Sequence, residues 1–248
     1  MPLQHSTSGT RHLLVLGLQP ECSRELVLFS YLEAGGYTCS LGTPSDVASR
    51  RPLGVILDIS PHSCDGWGIL LALKSSPETR DIPVLPVFLS ETGKVGGVFP
   101  VAGFFTTPVD DDYISHRLSI LGLTEDTETW DLQSLVVTRN GDETLCKTLA
   151  ALGYDPVSAY TGHEALALAS IQPKFLAFSS LMLSDMSAFE LHMNFRHFPY
   201  SSNMPLFILI KEEMKDGEKQ ALSREVCHLI SKKQLSCQEF LSVLRHRQ

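Results

Sequence analysis

Two stretches of the chain repeat the same succession of helix end, Gly-Tyr pair and following strand, and this repetition limits the fold more than any other feature. The stretch YLEAGGYTCSLGTPSDVA, from Tyr31, aligns with TLAALGYDPVSAYTGHEA, from Thr148, and the two Gly-Tyr pairs lie 117 residues apart. A repeat of that length corresponds to a whole domain rather than to a short solenoid unit. The sequence therefore predicts two domains of one architecture.

Apolar runs alternate with helix-period segments in both copies. HLLVLGL, from His12, and SLVVTR, from Ser134, are continuous apolar runs typical of a strand buried on both faces. Later strands are predicted in LGVILDI, PVLPVFL and VAGFFTT of the first copy and in KFLAFSS, PLFILI and VCHLIS of the second. This alternation predicts an α/β fold of two flavodoxin-like (βα)5 domains in tandem, each a doubly wound parallel sheet.

The helices predicted between these strands differ in the two copies. The second helix of the first copy, from Ser45 to about Arg50, is expected to be stunted. The segment SETGKVGGVFP contains three glycines and a proline, which argues against a fourth helix there, whereas the second copy keeps a candidate from Glu213 to Leu222.

An acidic stretch without periodicity, LTEDTETWDL at residues 123–132, separates the copies. It predicts a linker between a first domain at 11–122 and a second at 133–248, which we expect to fold independently.

Charge and composition limit the classes of partner, compartment and cofactor that we expect. The net charge is −8, divided equally between the halves, so neither nucleic acid nor an anionic membrane is an expected partner. No apolar run is long enough to span a membrane, and no signal peptide precedes the first strand, which predicts a cytoplasmic protein. The six cysteines lack metal-ligand spacing and are expected to be reduced thiols, with no metal and no cofactor.

The first copy resembles the receiver domain of bacterial response regulators. The resemblance is carried by VILDISPHSCDGWGILLALKSSPETRDIPVL, from Val55, and by TTPVDDDYI, from Thr106. It implies that Asp58 takes the position of the phosphorylated aspartate at the end of the third strand, and that Pro108 is the cis proline that follows a lysine in the family.

The residues that support phosphoryl transfer in that family are replaced in the first copy. Gly17 and Leu18 stand where the family has a metal-binding acidic pair, and Thr107 stands where it has the lysine. The hydroxyl residue of the fourth strand falls on Phe88, although Ser90 competes if a bulge shifts the register. Because phosphoryl transfer depends on positioning and charge stabilisation, we expect Asp58 not to be a working phosphoacceptor.

The second copy resembles the same family more faintly, and its string IKEEMKDGEKQALSREVCHLISKKQLS is similar to terminal receivers of hybrid sensor kinases. On the resemblance, Ser180 takes the acceptor position, where a serine cannot form the acyl phosphate. The other site positions fall on Thr138, Arg139, Ile210 and Lys232.

Three functions follow as expectations. The first is a non-enzymatic tandem pseudo-receiver that acts as a protein-binding or scaffold module in bacterial two-component signalling, with a histidine kinase, another signalling protein or a second copy as partner. The alternative is a phosphorelay receiver phosphorylated on Asp58, with Mg²⁺ in an atypical metal site. A third is ligand binding at the carboxyl edge of the sheet beside His62 and Asp65.

The segment that replaces the missing fourth helix supplies the candidate interface. Loss of a covering helix is expected to expose an apolar patch, and such patches often mark binding surfaces. The interface candidates are Val98, Phe99 and Val101.

Overall fold

A computed structural model of the chain describes residues 11–91, 94–124, 132–230 and 235–245. The first half contains β1 (His12–Leu16), α1 (Ser23–Ala34), β2 (Thr38–Leu41), α2 (Pro44–Arg50), β3 (Gly54–Asp58), α3 (Gly66–Ser75), β4 (Val84–Leu89), β5 (Val95–Val98), β6 (Gly103–Thr107) and α4 (Asp111–Ile120). The second half contains β7 (Leu132–Val137), α5 (Glu143–Ala151), β8 (Tyr154–Ala159), α6 (Gly162–Ile171), β9 (Leu176–Ser180), α7 (Ala188–Phe195), β10 (Leu206–Lys211), α8 (Asp216–Ile230) and α9 (Cys237–Arg245).

The strands form two five-stranded sheets. Their orders are β2-β1-β3-β4-β5 in sheet 1 and β8-β7-β9-β10-β6 in sheet 2. The strand order reverses beside β1 in sheet 1 and beside β7 in sheet 2, which is the doubly wound arrangement of flavodoxin-like folds. The predicted fold class is confirmed. Among the described residues, no helix combines the length and the apolar character that a membrane crossing requires.

The stunted second helix is also confirmed. The seven residues of α2 begin after Thr43, whose hydroxyl and backbone N–H both hydrogen-bond Asp46 in a capping box, with Pro44 at the first helical position. The helix ends at Arg51, which has left-handed backbone angles. Local signals alone therefore bound this helix.

Strand β5 runs antiparallel to β4, contrary to the all-parallel sheet predicted for the first copy. Val87 pairs with Val98 and Phe88 with Gly97, with a register shift before Leu89. The reason is the length of the connection, since only residues 90–94 join the two strands. A parallel connection requires a crossover of about a dozen residues or more.

Strand β6 belongs to sheet 2, although the sequence assigned VAGFFTT to the first domain. It pairs in parallel with β10, from Gly103 opposite Phe207 to Thr107 opposite Lys211. The hairpin strand β5 already occupies the free edge of β4, so β6 has no place beside it in sheet 1. Helix α4 follows β6, and its apolar face lies in the core below sheet 2.

Conversely, the end of the second half of the chain packs in the first unit. The predicted strand VCHLIS lies largely within α8, where Leu222 and Val226 are buried one helical turn apart. Helix α9 packs its buried face into the core of sheet 1, where Phe240, Leu241 and Leu244 join Leu28 and Leu32 of α1. Each sheet is thus completed by a segment from the opposite half of the chain.

These exchanges overturn the predicted domain boundaries at 11–122 and 133–248. Unit 1 takes its described residues from the ranges Met1–Leu70, Ile82–Pro100 and Ile230–Gln248, and unit 2 from Leu71–Asp81 and Val101–Leu229. The predicted linker at 123–132 does not divide the units, because Leu123 and Leu132 both pack against the core of unit 2. Residues 125–131 of that stretch lie outside the described part of the chain.

Candidate functional site

The structure places Asp58 at the carboxyl end of β3, in the interior of sheet 1. Leu57 pairs with Leu16 of β1 on one side, and Asp58 pairs with Val87 of β4 on the other. The strand order reverses between β1 and β3, and open α/β sheets bind ligands in the crevice at such a point. The sequence therefore positioned this carboxylate correctly within the sheet.

The Asp58 carboxylate is enclosed by hydrogen-bond donors. Its side chain is 0% exposed. Ser60 donates its backbone N–H to Oδ1 at 3.0 Å and its hydroxyl to Oδ2 at 3.0 Å. Arg24 donates Nη1–H to Oδ2, also at 3.0 Å, which makes a buried ion pair. Both carboxylate oxygens are engaged by groups of the protein itself.

Sequence reasoning missed Arg24, the second residue of α1. Its Nη1 also lies 3.2 Å from Ser60 Oγ, and its Nη2 donates to the His62 carbonyl oxygen at 2.8 Å. One signal was available in the sequence. A cation in the first turn of a helix faces the positive end of the helix dipole, so it requires compensation by a nearby anion.

Burial raises the pKa of Asp58 above its ordinary value. The hydrogen bonds from Ser60, the charge of Arg24 and the backbone N–H of Leu89 act in the opposite direction without cancelling the effect of burial. The fold thus holds a carboxylate that bulk water does not reach.

The residues at the end of β1 do not suit a metal ion. Gly17 has a φ of +85°, and a Cβ atom there would lie 2.7 Å from the Asp58 carbonyl oxygen. Leu18 packs into the apolar core of unit 1. Mg²⁺ needs carboxylate oxygens that are open to it and to its waters, whereas Asp58, the one carboxylate among these three residues, is fully buried with both oxygens bonded by Arg24 and Ser60. The site residues present therefore do not fit Mg²⁺.

The other predicted site positions of the first copy do not gather around Asp58. Phe88 is buried in β4 opposite Gly97, and Ser90 follows the strand, where its N–H donates to the Lys94 carbonyl. Thr107 lies in sheet 2, where its hydroxyl donates to the Ile210 carbonyl at 3.4 Å. Assigning Thr107 to the Asp58 site was wrong, because β6 joined the other sheet.

The corresponding edge of unit 2 is lined by hydroxyl and apolar groups. Ser180 ends β9, Ile210 is buried in β10, and Thr107 ends the neighbouring β6. Thr138 follows β7, and its buried Oγ1 has no hydrogen-bond partner within the described part of the chain. Arg139 donates to the Leu183 carbonyl at 2.6 Å. Lys232, the predicted lysine of this copy, lies outside the described residues.

His62 and Asp65 point to separate partners. His62 Nε2 lies 3.2 Å from Glu91 Oε1, at an exposed position. Asp65 Oδ1 accepts from the N–H of Gly68 at the start of α3. In the part of the chain that the structure describes, no three His, Cys, Asp or Glu side chains are grouped so as to hold a metal ion. Nothing in this geometry favours the ligand site suggested for these two residues.

The interface candidates are more buried than expected. Phe99 is 2% exposed and Val101 is fully buried, while Val98 is half-buried in β5. Phe99 N–H also donates to the Pro86 carbonyl at 3.1 Å, which ties this segment to β4. The expected exposed patch is therefore wrong for Phe99 and Val101, and the half-buried Val98 packs against the core cluster of unit 1 that includes α9.

No protein-family model matches the chain, and no curated protein matches it significantly. Among solved structures, it is similar to the N-terminal domain of a response regulator receiver protein from Methanoculleus marisnigri JR1. That match has 18% identity and a TM-score of 0.30, and covers 41% of this chain and 98% of that one. A two-component system response regulator/GGDEF domain protein matches with 14% identity and a TM-score of 0.30, over 88% of this chain and 99% of that one.

An adenylate cyclase from Rhodopirellula baltica is similar at 15% identity and a TM-score of 0.27, over 42% of this chain and 95% of that one. At such identities the similarity concerns the fold alone. The fold and the site define a doubly wound α/β protein of two units, one of which holds a buried, internally paired aspartate.

Proposed function

We propose that the chain is a non-catalytic tandem receiver-like protein that acts by binding other proteins in bacterial two-component signalling. The observation that carries this proposal is the enclosure of the Asp58 carboxylate by Arg24 and Ser60. A phosphoryl acceptor must present an oxygen in line with the leaving group, and here both oxygens are buried and bonded.

The surroundings of Asp58 support the same view. Phosphorylation of a carboxylate requires positive charge to neutralise the incoming phosphoryl group, which in this class of reaction comes from a metal ion and a lysine. Gly17 and Leu18 offer no side-chain oxygen, and Thr107 lies in the other sheet. The single described cation at the site, Arg24, is already committed to Asp58.

The residues at the strand ends of unit 2 also support a binding role. Its acceptor position is Ser180, which cannot form an acyl phosphate, and the neighbouring position after β7 is Arg139 rather than an acid. Because this edge lacks the residues for phosphoryl transfer, the function of unit 2 lies in surfaces that bind other signalling proteins in the cytoplasm.

The alternative is a phosphorelay receiver that uses Asp58. One observation favours it, namely the location of Asp58 at the end of β3 beside the switch point of the sheet. It requires Arg24 to leave the carboxylate and Mg²⁺ to bind in its place.

Incubation of the full chain with acetyl phosphate and MgCl₂, followed by intact-mass spectrometry, tests the two functions. We expect no mass increase of one phosphoryl group in the wild-type chain. Asp58→Asn serves as the control for labelling elsewhere on the chain. Stoichiometric labelling that Asp58→Asn abolishes would establish the phosphorelay function instead.

Affinity purification from the native cell tests the binding role directly. The wild-type chain and Asp58→Asn should recover the same signalling proteins in equal amounts, because binding does not depend on phosphorylation of Asp58. Recovery of no signalling protein by either bait, or of partners only after treatment with a phosphodonor, would contradict the proposal.

A further inference from the structure

We propose that Arg24 is a fixed internal cation that takes the place of an exchangeable divalent ion in unit 1 and keeps the loop after β3 closed against α1. This inference rests on the proposed non-catalytic function, and it adds that the conformation of the loop is independent of Mg²⁺. The loop consists of residues 59–65, between β3 and α3. Arg24 is thus a positioning residue.

The contacts of the guanidinium connect three parts of unit 1. From α1, Arg24 reaches Asp58 at the end of β3, the Ser60 hydroxyl at the start of the loop and the His62 carbonyl in its middle. The Arg24 side chain is only 11% exposed and Asp58 is fully buried, so water screens their ion pair little, whereas the bond to His62 lies at an exposed position. Hydrogen bonds between charged groups are about twice as strong as neutral ones. Loss of the guanidinium therefore releases the loop from α1 and leaves the bonds of Ser60 to Asp58 as its remaining side-chain tie to β3.

Charge balance explains why a divalent ion does not suit the same place. The one carboxylate of Asp58 is matched by the one positive charge of Arg24. A Mg²⁺ ion bound beside this pair would leave two uncompensated positive charges in a buried site, which is strongly unfavourable. Gly17 and Leu18 cannot add the negative charge that would offset them.

A second anchor holds the far end of the loop by backbone contacts alone. The N–H of Cys64 donates to the Gly17 carbonyl at 3.0 Å. A Cβ atom at Gly66 would lie 2.2 Å from the Asp58 carbonyl oxygen, so the loop returns close to the strand end before α3 starts. The near half of the loop is fixed by two side chains, since Asp58 accepts two bonds from Ser60 and Arg24 links both Ser60 and His62 to α1.

Unit 2 contains a partial counterpart. Arg139, which follows β7, donates to the Leu183 carbonyl in the loop after β9 at 2.6 Å. The acceptor position there is Ser180, so the arginine bridges to the loop without a carboxylate beneath it. An arginine thus joins the segment after β1 to the loop after β3 in unit 1 and the segment after β7 to the loop after β9 in unit 2, while the ion pair belongs to unit 1.

Hydrogen–deuterium exchange of the full-length chain tests the proposal, with Arg24→Met compared with wild type in excess MgCl₂ and in EDTA. In the wild type, amides of residues 59–63 should exchange at the same rate in both solutions. In Arg24→Met the amides of Ser60, His62 and Ser63 should exchange on the order of tenfold faster, because the charged hydrogen bonds that hold this part of the loop are lost. Pro61 has no amide hydrogen, and the Ile59 N–H, which donates to the Val87 carbonyl in the sheet, should be unaffected. Arg50→Met is the matched control, since its pair with Asp46 is exposed, and it should leave the loop unchanged.

A second pair of measurements separates positioning from general destabilisation. Arg24→Lys keeps the charge near Asp58 but cannot form all three contacts, so the exchange of the Ser60, His62 and Ser63 amides should fall between wild type and Arg24→Met. Strand β7 of unit 2 is the internal reference and should keep its protection in every variant. If Arg24→Met does not fold, Arg24→Ala with added methylguanidinium replaces it, and the added ion should restore protection whereas MgCl₂ should not.

Two results would overturn the inference. The first is slower loop exchange in the wild type with MgCl₂ than in EDTA, since the site would then accept the divalent ion. The second is unchanged loop exchange in Arg24→Met. Neither result depends on labelling by acetyl phosphate, so failure of this inference and failure of the proposed function are distinguished.

Discussion

At the scale of single residues, the carboxyl edge of sheet 1 is shaped by close packing as much as by charge. Gly17 lies against the backbone of Asp58 with a φ of +85°, a conformation that glycine adopts readily and other residues rarely. Together with the enclosure of Asp58 by Arg24 and Ser60, this contact leaves no room for side-chain ligands at the end of β1.

Gly17→Ala should lower the free energy of unfolding by more than Gly36→Ala. Both glycines have positive φ, +85° and +80°, so both substitutions cost about 1 kcal/mol of conformational strain. Only at Gly17 would the new Cβ atom meet a backbone oxygen, at 2.7 Å, whereas nothing lies within 4 Å at Gly36. Urea denaturation of the two variants measures the difference, and equal losses would show that the contact with Asp58 relaxes freely.

Asp185 links the loop after β9 to the start of α6. Its carboxylate accepts the N–H groups of Gly162 and His163 at 2.8 and 3.0 Å, and the His163 ring at 2.6 Å. Partial burial by itself would raise the pKa of Asp185, but the hydrogen bonds from Gly162 and His163 outweigh it and hold the pKa below its ordinary value. The carboxylate is therefore more stable ionised in the folded protein than in the unfolded chain.

Asp185→Asn should reduce the free energy of unfolding at neutral pH by about 0.5–1 kcal/mol, the usual value of an anion at a helix N-terminus. Because the folded pKa is depressed, this stabilisation is present above the unfolded pKa of about 4 and is lost as pH falls through the folded value. Thermal melts of both chains should converge at acidic pH. The exposed Glu213→Gln is the control, and a difference that persists below the folded pKa would refute the assignment.

At the scale of elements, the hairpin of β4 and β5 decides the composition of both units. It occupies the edge of sheet 1, and β6 then completes sheet 2 beside β10. Helix α9 covers the apolar side of α1 and β5, with the Leu235 N–H donating to the Val95 carbonyl just before the helix. The last helix of the chain is thus part of the first unit.

Phe240→Ala should destabilise unit 1 by about 3–5 kcal/mol, the usual cost of removing a buried phenylalanine. Phe240 is fully buried and its ring lies 6.0 Å from that of Tyr31 in α1. Hydrogen exchange should show lost protection in α1 and β5 rather than in α8, the helix nearest in sequence. Gln238→Ala, on the exposed side of α9, should change neither. Lost protection confined to α8 would place α9 in unit 2.

At the scale of the whole molecule, the two halves of the chain are not two independent domains. Residues up to 124 carry β6 and α4 for unit 2, and residues from 235 carry α9 for unit 1. A cut between the halves therefore leaves each unit built from both fragments.

A specific protease site inserted between Thr124 and Leu132 tests this organisation. After cleavage, the two fragments should elute together in size-exclusion chromatography under native conditions and separate only in denaturant. Each fragment expressed alone should lack a cooperative unfolding transition, because its sheet or its core is incomplete. Fragments that separate without denaturant and melt cooperatively would restore the two-domain division at this stretch.

Most of the wrong predictions arose because a short stretch of sequence does not identify the distant segment against which it packs. VCHLIS is a short apolar run, and such a run does not distinguish a buried strand from a helix face by periodicity. The five-residue connection before β5 did contain the information that β5 must be antiparallel, but the predicted all-parallel sheet did not use it. The cover over Val98 could not be read from local pattern either, because the helix α9 in the same core cluster comes from the far end of the chain.

The sequence by itself determined the two α/β units, the stunted α2, the place of Asp58 at a strand end and the absence of acids at Gly17 and Leu18. These features depend on residue type and on neighbours close in the chain. Only the tertiary structure decided that β6 completes sheet 2, that α9 completes unit 1 and that Arg24 neutralises Asp58. Each of these depends on a partner distant in sequence, 34 residues away for the ion pair, about 100 for β6 and β10, and 206 between Tyr31 of α1 and Cys237 of α9. Such a partner is selected by the sheet edge, groove or buried charge that the rest of the fold leaves uncovered or unpaired.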